Sequence, residues 1–408
     1  MGKKLLEDLE WRGLIAQSTD RKELEQALSK PMALYVGFDP TAPSLHLGNL
    51  VVLLVLKRFQ LAGHKPIPLV GGATGLVGDP SGKNEERSLN DEKVVADWVA
   101  KLKVQLERVI DFKDAKTGAV MANNLEWTKP VSALEFLRDI GKHFSVNQML
   151  AKDSVASRLS TAGISYTEFS YQVLQAFDYL ELYRRYKCKL QIGGSDQWGN
   201  IVSGLDLIRK VEGGTAHALT VPLLAKADGT KFGKTASGAI WLDPEMTSAY
   251  DFFQYWLNSD DADMPKLLKV FSLKSRDEIE RLIETVKVNP GAREAHRELA
   301  RELTSLIHGE QTAIKVEQAA KALFGQGEIT DLDLATLISA LSQLPRVQIN
   351  RADGFPTWVD LLAATGIVES KSAARRIVKE GGGYLNNKKV EGEDFTPSNA
   401  DLLHGKYL

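Results

Sequence analysis

The chain has 408 residues and a mass of 45.0 kDa, enough for roughly two or three domains. Hydrophobic residues make up 43% and charged residues 25%, the balance of a soluble globular protein. A net charge of −2 excludes binding of nucleic acid through a basic bulk, so any such contact must use local patches.

In chain order, the N-terminus MGKKLLEDLEWRGL mixes acids with bases and lacks the apolar core of a signal peptide. It reads as an amphipathic helix, and residues 1–30 as helical. Residues 33–60, ALYVGFDPTAPSLHLGNLVVLLVLKRFQ, begin with an apolar run, Ala33 to Phe38, expected to be a buried strand. Asp39, Pro40, Thr41 and Pro43 break it. Ser44 stands where a helix N-cap would, and Leu45 onward reads as a helix. Leu50 to Leu56 is apolar on every face, which predicts burial until Lys57 and Arg58 reach the surface. The same run is far too short to span a membrane. This strand, turn and helix make the first unit of a nucleotide-binding α/β sheet. His46, Gly48 and Asn49 stand at the helix start, where backbone N–H groups and the dipole suit a phosphate. The HxGN pattern alone reads equally as a capped core helix.

Pro66 to Val70 predicts a second strand, leading into GGATGLVGDPSGKNEER. Its glycines permit close backbone approach to a ligand. Asp79, Lys83 and Arg87 set it apart from an idle turn. Residues 91–160 read as mainly helical, an insertion between two halves of the sheet with no evident chemistry. In YTEFSYQVLQAFDYLELY, Tyr171, Gln175 and Asp178 fall at i, i+4 and i+7 and share one helix face. That face suits a small polar ligand or, equally, solvent. The lone cysteine, Cys188, excludes an intrachain disulfide and Cys-based zinc sites, and fits a reducing compartment. Cytoplasm is therefore expected.

KLQIGGSDQWGNIVSGLDLIRK predicts strand, Gly-Gly turn and helix, with Asp196, Gln197 and Asn200 at the carboxyl end of the strand. Ligands bind at that edge of open α/β sheets. VPLLAKADGTKFGKTASGAIWL brings Lys231 and Lys234 together on a glycine-loosened loop, suited to a polyanionic leaving group. Residues 246–340 read as helical. After Pro345 and Pro356 comes a small unit of two helices and a hairpin. There Lys371, Arg375, Arg376, Lys379, Lys388 and Lys389 face only Glu380 within 371–389. The first four lie on one helical side, as a phosphate-tracking or merely solvated surface would.

Taken together, YVGFDPTAPSLHLGN, GGATGLVGDPSGK, EFSYQVLQAFD, LQIGGSDQWGN and KFGKT resemble, in order, the signatures of bacterial-type tyrosyl-tRNA synthetases of class I. The first is of the HIGH type and the last is the family's version of KMSKS. The final unit resembles a small RNA-binding module first known from a ribosomal protein. The resemblance implies an α/β, Rossmann-like parallel-sheet catalytic domain over 1–225 with a helical insertion at about 91–160. It further implies an α-helical domain over 226–340 that includes the KFGKT loop, and a small α+β RNA-binding module over 345–408. It implies activation of L-tyrosine by ATP with Mg²⁺ on the phosphates, then transfer to tRNA(Tyr), by a homodimer without membrane contact.

Carried over residue by residue, Tyr35 and Asp178 would hold the substrate phenol, and Asp79, Tyr171 and Gln175 its amino group. Asp39 and Gln197 would lie around the amino acid and its carboxylate, with Asp196 on the ribose. Thr41, His46, Lys83, Arg87, Lys231 and Lys234 would surround the phosphates and leaving pyrophosphate. Gly48, Asn49, Gly194 and Thr235 complete the ATP set, and the six basic residues above form the RNA-binding set. No resident metal is expected. Val36, Asn49 and Val52 depart from frequent family residues. A tryptophanyl-type synthetase and a non-catalytic RNA-binding factor derived from a synthetase are the alternative readings.

Overall fold

A computed structural model describes residues 2–81, 90–152, 155–156, 159, 163–230, 232–235, 238–323, 328–341, 344–350 and 354–408. For 234–235 only the backbone is described. Lys83, Arg87 and Lys231 therefore lie outside the described residues.

The expected first strand forms as β2 (Ala33–Phe38) and the second as β3 (Lys65–Val70). With β1 (Gln17–Ser18), β4 (Ala122–Asn123), β5 (Cys188–Gly194) and β6 (His217–Val221) they make a six-stranded sheet in the order β1-β6-β5-β2-β3-β4. All neighbours run parallel except β1, which pairs antiparallel with β6 at the edge. The chain leaves β2 in one direction, through β3 and β4, and returns on the other side as β5 and β6. The strand order thus reverses between β2 and β5, where α/β sheets open a crevice at their carboxyl ends.

Three sequence expectations change here. Residues 1–30 contain β1 between α1 (Gly2–Trp11) and α2 (Arg21–Ala27). Two residues are too few to give an alternating pattern. The stretch 91–160 is not wholly an insertion. Its first helix, α5 (Glu92–Val109), is an ordinary crossover leading to β4, which pairs with the end of β3 at Leu69–Ala122 and Val70–Asn123. Short helical turns follow up to Leu150. Gly193 and Gly194 pair with Thr220 and Val221, so they end a strand and do not turn.

The helix after β2, α3 (Leu47–Leu61), is buried on all sides as its apolar run requires: Leu50, Leu53, Leu54, Val55, Leu56 and Phe59 are fully inaccessible. Truncating one of these leucines to alanine would cost about 2–5 kcal/mol. Arg58, expected at the surface, is only 6% exposed. Its guanidinium donates at 2.8 Å to both Val270 O and Ser272 O. Arg12, just after the N-terminal helix, shares the Ser272 carbonyl at 2.9 Å. Burial, and secondarily Arg12, lower Arg58 to about 9. The carbonyls belong to the end of a later helix, so no pattern within 33–60 could announce this burial.

The chain continues through α4 (Thr74–Val77), α6 (Tyr166–Tyr186) and α7 (Trp198–Glu212), then a hairpin of β7 (Lys234–Thr235) and β8 (Gly238–Ala239). The helical run comprises α8 (Ala249–Leu257), α9 (Met264–Phe271), α10 (Arg276–Val288), α11 (Glu294–His308), α12 (Glu310–Leu323) and α13 (Leu334–Leu341). The last unit has the two expected helices, α14 (Trp358–Ala364) and α15 (Lys371–Lys379), and the hairpin β9 (Tyr384–Leu385) with β10 (Lys388–Lys389). It is tied to the helical run by Asn387 Nδ2 on Ala322 O at 2.5 Å and His404 Nε2 on Leu332 O at 2.8 Å. Among the described residues no helix is long and apolar enough to cross a membrane.

Candidate active site

The site lies at the switch point. Tyr35 sits on β2 with Ile67 and Gln191 as its register partners, and is 1% exposed. Its hydroxyl has no hydrogen-bond partner among the described residues. Helix α6 turns its Tyr171–Gln175–Asp178 face inward, so this face is not the solvated one that the sequence also allowed. Asp178 is 2% exposed and Tyr171 5%. A buried polar stripe needs partners, and Asp178 finds them on the segment after β4. Its carboxylate accepts from Asn124 Nδ2 at 2.9 Å and from Trp127 Nε1 at 2.8 Å.

Asn124 also donates to Thr74 Oγ1 at 2.9 Å, and Thr74 donates to Asp39 at 2.6 Å. The other Asp39 oxygen accepts from the Tyr171 hydroxyl at 2.6 Å. A continuous chain thus runs Asp178–Asn124–Thr74–Asp39–Tyr171. Gly71 makes it possible, because a Cβ there would collide with Asp39 Oδ1 and Thr74 Oγ1. Asp79 closes the rim, accepting from Gln197 Nε2 at 2.7 Å and from Ser81 N at 2.9 Å. Gln197 also reaches the exposed Asp196 at 3.1 Å. Gln175 is half-buried and its Oε1 has no partner among the described residues.

Burial dominates the electrostatics. It pushes the Asp178 carboxyl up to about 7, against the lowering effect of Asn124 and Trp127. It also raises Asp79, against the donors Ser81 and Gln197. The phenols of Tyr35 and Tyr171 are raised well above their ordinary value by burial, with Asp178 next for Tyr35 and Asp39 next for Tyr171. Both stay neutral and keep their protons for donation. The arrangement therefore offers one orphaned phenol beside a buried carboxylate at depth, and carboxylates toward the rim that suit an ammonium group.

At the other end stands His46. It, not Ser44, is the N-cap of α3, and the helix begins at Leu47. Ser44 is buried, donates to Leu45 O at 2.8 Å and accepts from Asp243 N at 3.0 Å. His46 Nδ1 accepts from Gly48 N at 3.0 Å and Asn49 N at 3.4 Å, while Asn49 Oδ1 accepts from His46 N at 3.0 Å. This reciprocal capping box occupies two N–H groups expected to face a phosphate. It also places the imidazole proton on Nε2 as a donor. Gly48 first makes room for this ring, since a Cβ would lie 2.8 Å from His46 Cε1. Thr41 is exposed on the connection after β2, and Gly194 ends β5.

The hairpin bearing Lys234 joins this end through backbone bonds from Leu47 N to Ile240 O at 3.1 Å and from Leu242 N to Leu45 O at 2.8 Å. The first and last signatures of the catalytic part are thus one ladder. The basic set of the final unit stands apart from this cleft, and tertiary structure brings more acid to it than Glu380. Lys371 pairs with Asp360 at 2.6 Å, and Glu393 with Lys379 at 3.0 Å and Arg375 at 3.7 Å. The residues that sequence reasoning missed are Asn124, Trp127 and Thr74. Thr74 lies inside GGATGLVGDPSGK, and Asn124 and Trp127 come just after a two-residue strand with no sequence signal of their own.

Two family models match the chain. One, tRNA synthetases class I (W and Y), spans residues 27–325. The other, the tyrosine–tRNA ligase SYY-like C-terminal domain, spans 337–408. The chain belongs to the class I tRNA synthetases of the tryptophan and tyrosine type. Within that class, its similarity is to tyrosine–tRNA ligases. That of Streptomyces avermitilis is 58% identical over 407 residues, 99% of this chain and 95% of the relative. That of Mycobacterium tuberculosis is 54% identical over 412 residues, 100% of this chain and 96% of the relative. Among solved structures, a C-terminally truncated mitochondrial tyrosyl-tRNA synthetase from Aspergillus nidulans aligns with a TM-score of 0.72 and 31% identity. The alignment covers 78% of this chain and 94% of that one. A tryptophanyl-tRNA synthetase from Encephalitozoon cuniculi shares the fold at a TM-score of 0.56 and 16% identity, covering 77% of this chain and 90% of that one.

Proposed function

We propose that this chain is a tyrosine–tRNA ligase whose cleft reads the substrate phenol between Tyr35 and Asp178. It joins L-tyrosine to ATP, releasing pyrophosphate, and then passes the tyrosyl group to the terminal ribose of tRNA(Tyr). The observation that carries the assignment is the orphaned Tyr35 hydroxyl buried beside Asp178. When a phenol enters, the Tyr35 hydroxyl gains a partner and Asp178 a further donor beside Asn124 and Trp127; when phenylalanine enters, the Tyr35 hydroxyl stays without one. An unpaired buried polar group costs about 1–3 kcal/mol. Enzymes of this type are the standing example of such selection, with a known discrimination of about 10⁵-fold without editing.

The tyrosine carboxylate is already ionised at neutral pH, so its attack on the α-phosphorus needs no general base. Asp79, Tyr171 and Gln175 hold the ammonium, while Asp39 and Gln197 orient the groups around it. The step then depends on in-line placement and on donors for the charge that grows on the phosphates. His46 Nε2–H, Thr41, Lys83, Arg87, Lys231 and Lys234 are assigned to that task, with Gly48, Asn49, Gly194 and Thr235 beside the nucleotide and Asp196 on its ribose. Mg²⁺ arrives with ATP as part of the substrate.

The final unit, with Lys371, Arg375, Arg376, Lys379, Lys388 and Lys389, is assigned to tRNA. Its exposed ion pairs contribute little and exchange readily for phosphate. A homodimer is supported by an apolar face on the segment after β4. Leu134 is 81% exposed, Leu137 54% and Val146 58%. Cytoplasm suits a chain whose single cysteine, Cys188, is buried and free of a disulfide.

ATP–pyrophosphate exchange with tyrosine, tryptophan and phenylalanine in parallel tests the assignment. Exchange driven by tyrosine alone is expected. Exchange driven by tryptophan transfers the chain to the other branch, and RNA binding without exchange makes it a non-catalytic factor.

A further inference from the structure

The hairpin that carries Lys234 is held from two sides. One arm is backbone: Ile240 N donates to Gly233 O at 3.1 Å, and Ile240 O accepts from Leu47 N at 3.1 Å. That arm extends the segment presenting His46. The other arm is held by side chains of α8 and α9. Phe232 lays its ring against Tyr255, Trp256 and Phe271, with centroids 5.9, 6.1 and 5.3 Å away. The next residue, Gly233, donates its N–H to the Tyr255 hydroxyl at 3.3 Å. Upstream, Ala227 N donates to Asp263 at 2.8 Å and Lys266 Nζ to Ala225 O at 2.8 Å, so α9 holds the same arm at its root.

Phe232 and Tyr255 both also line a cavity of about 550 Å³, together with Trp241, Gln254, Asp263 and Leu267 among others. A ring present only to fill a core would be enclosed on all sides. This one is half-buried, and a polar contact from Tyr255 to the hairpin backbone supplements the ring contacts. Burial pushes the Tyr255 phenol up to about 12, so it keeps its proton and acts as a neutral acceptor for Gly233 throughout the working range.

We propose that Tyr255, together with the Phe232 ring it packs against, is a positioning residue for Lys234, setting the height of the hairpin arm so that the lysine meets the departing phosphates. The proposal rests on the assignment of Lys234 to pyrophosphate made above. Tyr255 touches no reacting atom. It acts through the Gly233 backbone, one residue before the lysine. A misplacement of about 1 Å in such an element costs on the order of 100-fold in rate, and loss of one weak hydrogen bond much less.

The test is single-turnover formation of tyrosyl-adenylate by Tyr255→Phe and Phe232→Leu, each alone and combined with Lys234→Ala, with tyrosine affinity measured beside it. Tyr255→Phe is expected to slow the step about 3–10-fold and Phe232→Leu about 10–30-fold, with tyrosine affinity changed less than about twofold. In the Lys234→Ala background each should add less than about twofold, because residues acting through one group are not additive. Full additivity, or a fall in tyrosine affinity as large as the fall in rate, overturns the proposal. If Lys234→Ala slows the step and neither anchor variant does, the lysine keeps its role and the positioning proposal fails. If Lys234→Ala leaves the rate unchanged, both fall. Tyr255→Phe removes a single oxygen, so thermal unfolding of that variant should match the parent and exclude misfolding as the cause.

Discussion

At the end of the cleft proposed for the amino acid, Asp39, Asp79 and Asp178 are buried or half-buried and hold protein donors. At the end proposed for the phosphates, Thr41 and Gly48 are exposed, and the hairpin of Lys234 is placed by backbone ladders and one aromatic anchor. In the proposed reading the first end selects, because a missing substrate hydroxyl leaves the buried Tyr35 hydroxyl without a partner. The second is proposed to offer donors to a charge that exists only late in the reaction. The contrast teaches where selection and acceleration are separable. Interactions equal in ground and transition state choose the substrate, and those that strengthen in the transition state raise the rate.

The comparison is broken most directly at Asp178. Asp178→Asn should cut the tyrosine-over-phenylalanine ratio of kcat/KM by about 100–1,000-fold, read by pyrophosphate exchange. An unchanged ratio removes Asp178 from the phenol pit. Lys234→Ala probes the opposite end, slowing adenylate formation by about 100-fold while tyrosine affinity stays within about twofold. Collapse of tyrosine affinity at a preserved rate would reverse the two roles.

Deletion from residue 345 onward should leave exchange within about twofold and weaken tRNA charging by about 10-fold or more, through loss of phosphate contacts. The same deletion uncovers the helical run where His404 meets Leu332 and Leu403 joins the cluster of Ile329 and Leu332. A modest drop in melting temperature therefore accompanies it, and unchanged charging kinetics leave the basic unit without its assigned part.

The smallest effect is a pH dependence. Asp178 is raised to about 7, well above the ordinary value of about 3.9. Below that pH the free site holds a protonated acid, and accepting the substrate phenol requires expelling the proton. Tyrosine affinity should therefore rise as pH climbs through 7, by at most about tenfold per unit below it, and level off above. The stability sign is opposite to that of a salt-bridged carboxylate. The unfolded chain ionises Asp178 first, so its contribution to folding diminishes from about pH 4 to about pH 7. Trp127→Phe removes a donor to the carboxylate. It should move the affinity inflection upward and weaken tyrosine about fivefold at neutral pH. An inflection that stays in place indicates a different titrating group.

The separation of legible from hidden follows residue by residue. The stripe Tyr171, Gln175 and Asp178 was visible because helical spacing alone puts those side chains on one face. Whether that face met solvent or a crevice was not visible, because the answer lies in how α6 packs against β5 and α4. Asn124 and Trp127 carried no signal, since β4 is two residues long and its partners on α6 lie more than fifty positions away in the chain. Ser44 was a sound N-cap candidate by residue type, and lost to His46 because the chain bends to pair Leu45 and Leu47 with Ile240 and Leu242. Arg58 was drawn inward by carbonyls of α9, which no local pattern predicts.

By itself the sequence determined the alternation of strands and helices, the buried character of α3 and the order of signatures that mark the class, all properties of spacing and local composition. Tertiary structure alone decided which carboxylates are desolvated and which donors satisfy them. It alone also decided which phenol is left waiting. Burial and hydrogen-bond closure depend on surfaces brought together from distant parts of the chain, and water leaves a site only once all of its walls are in place.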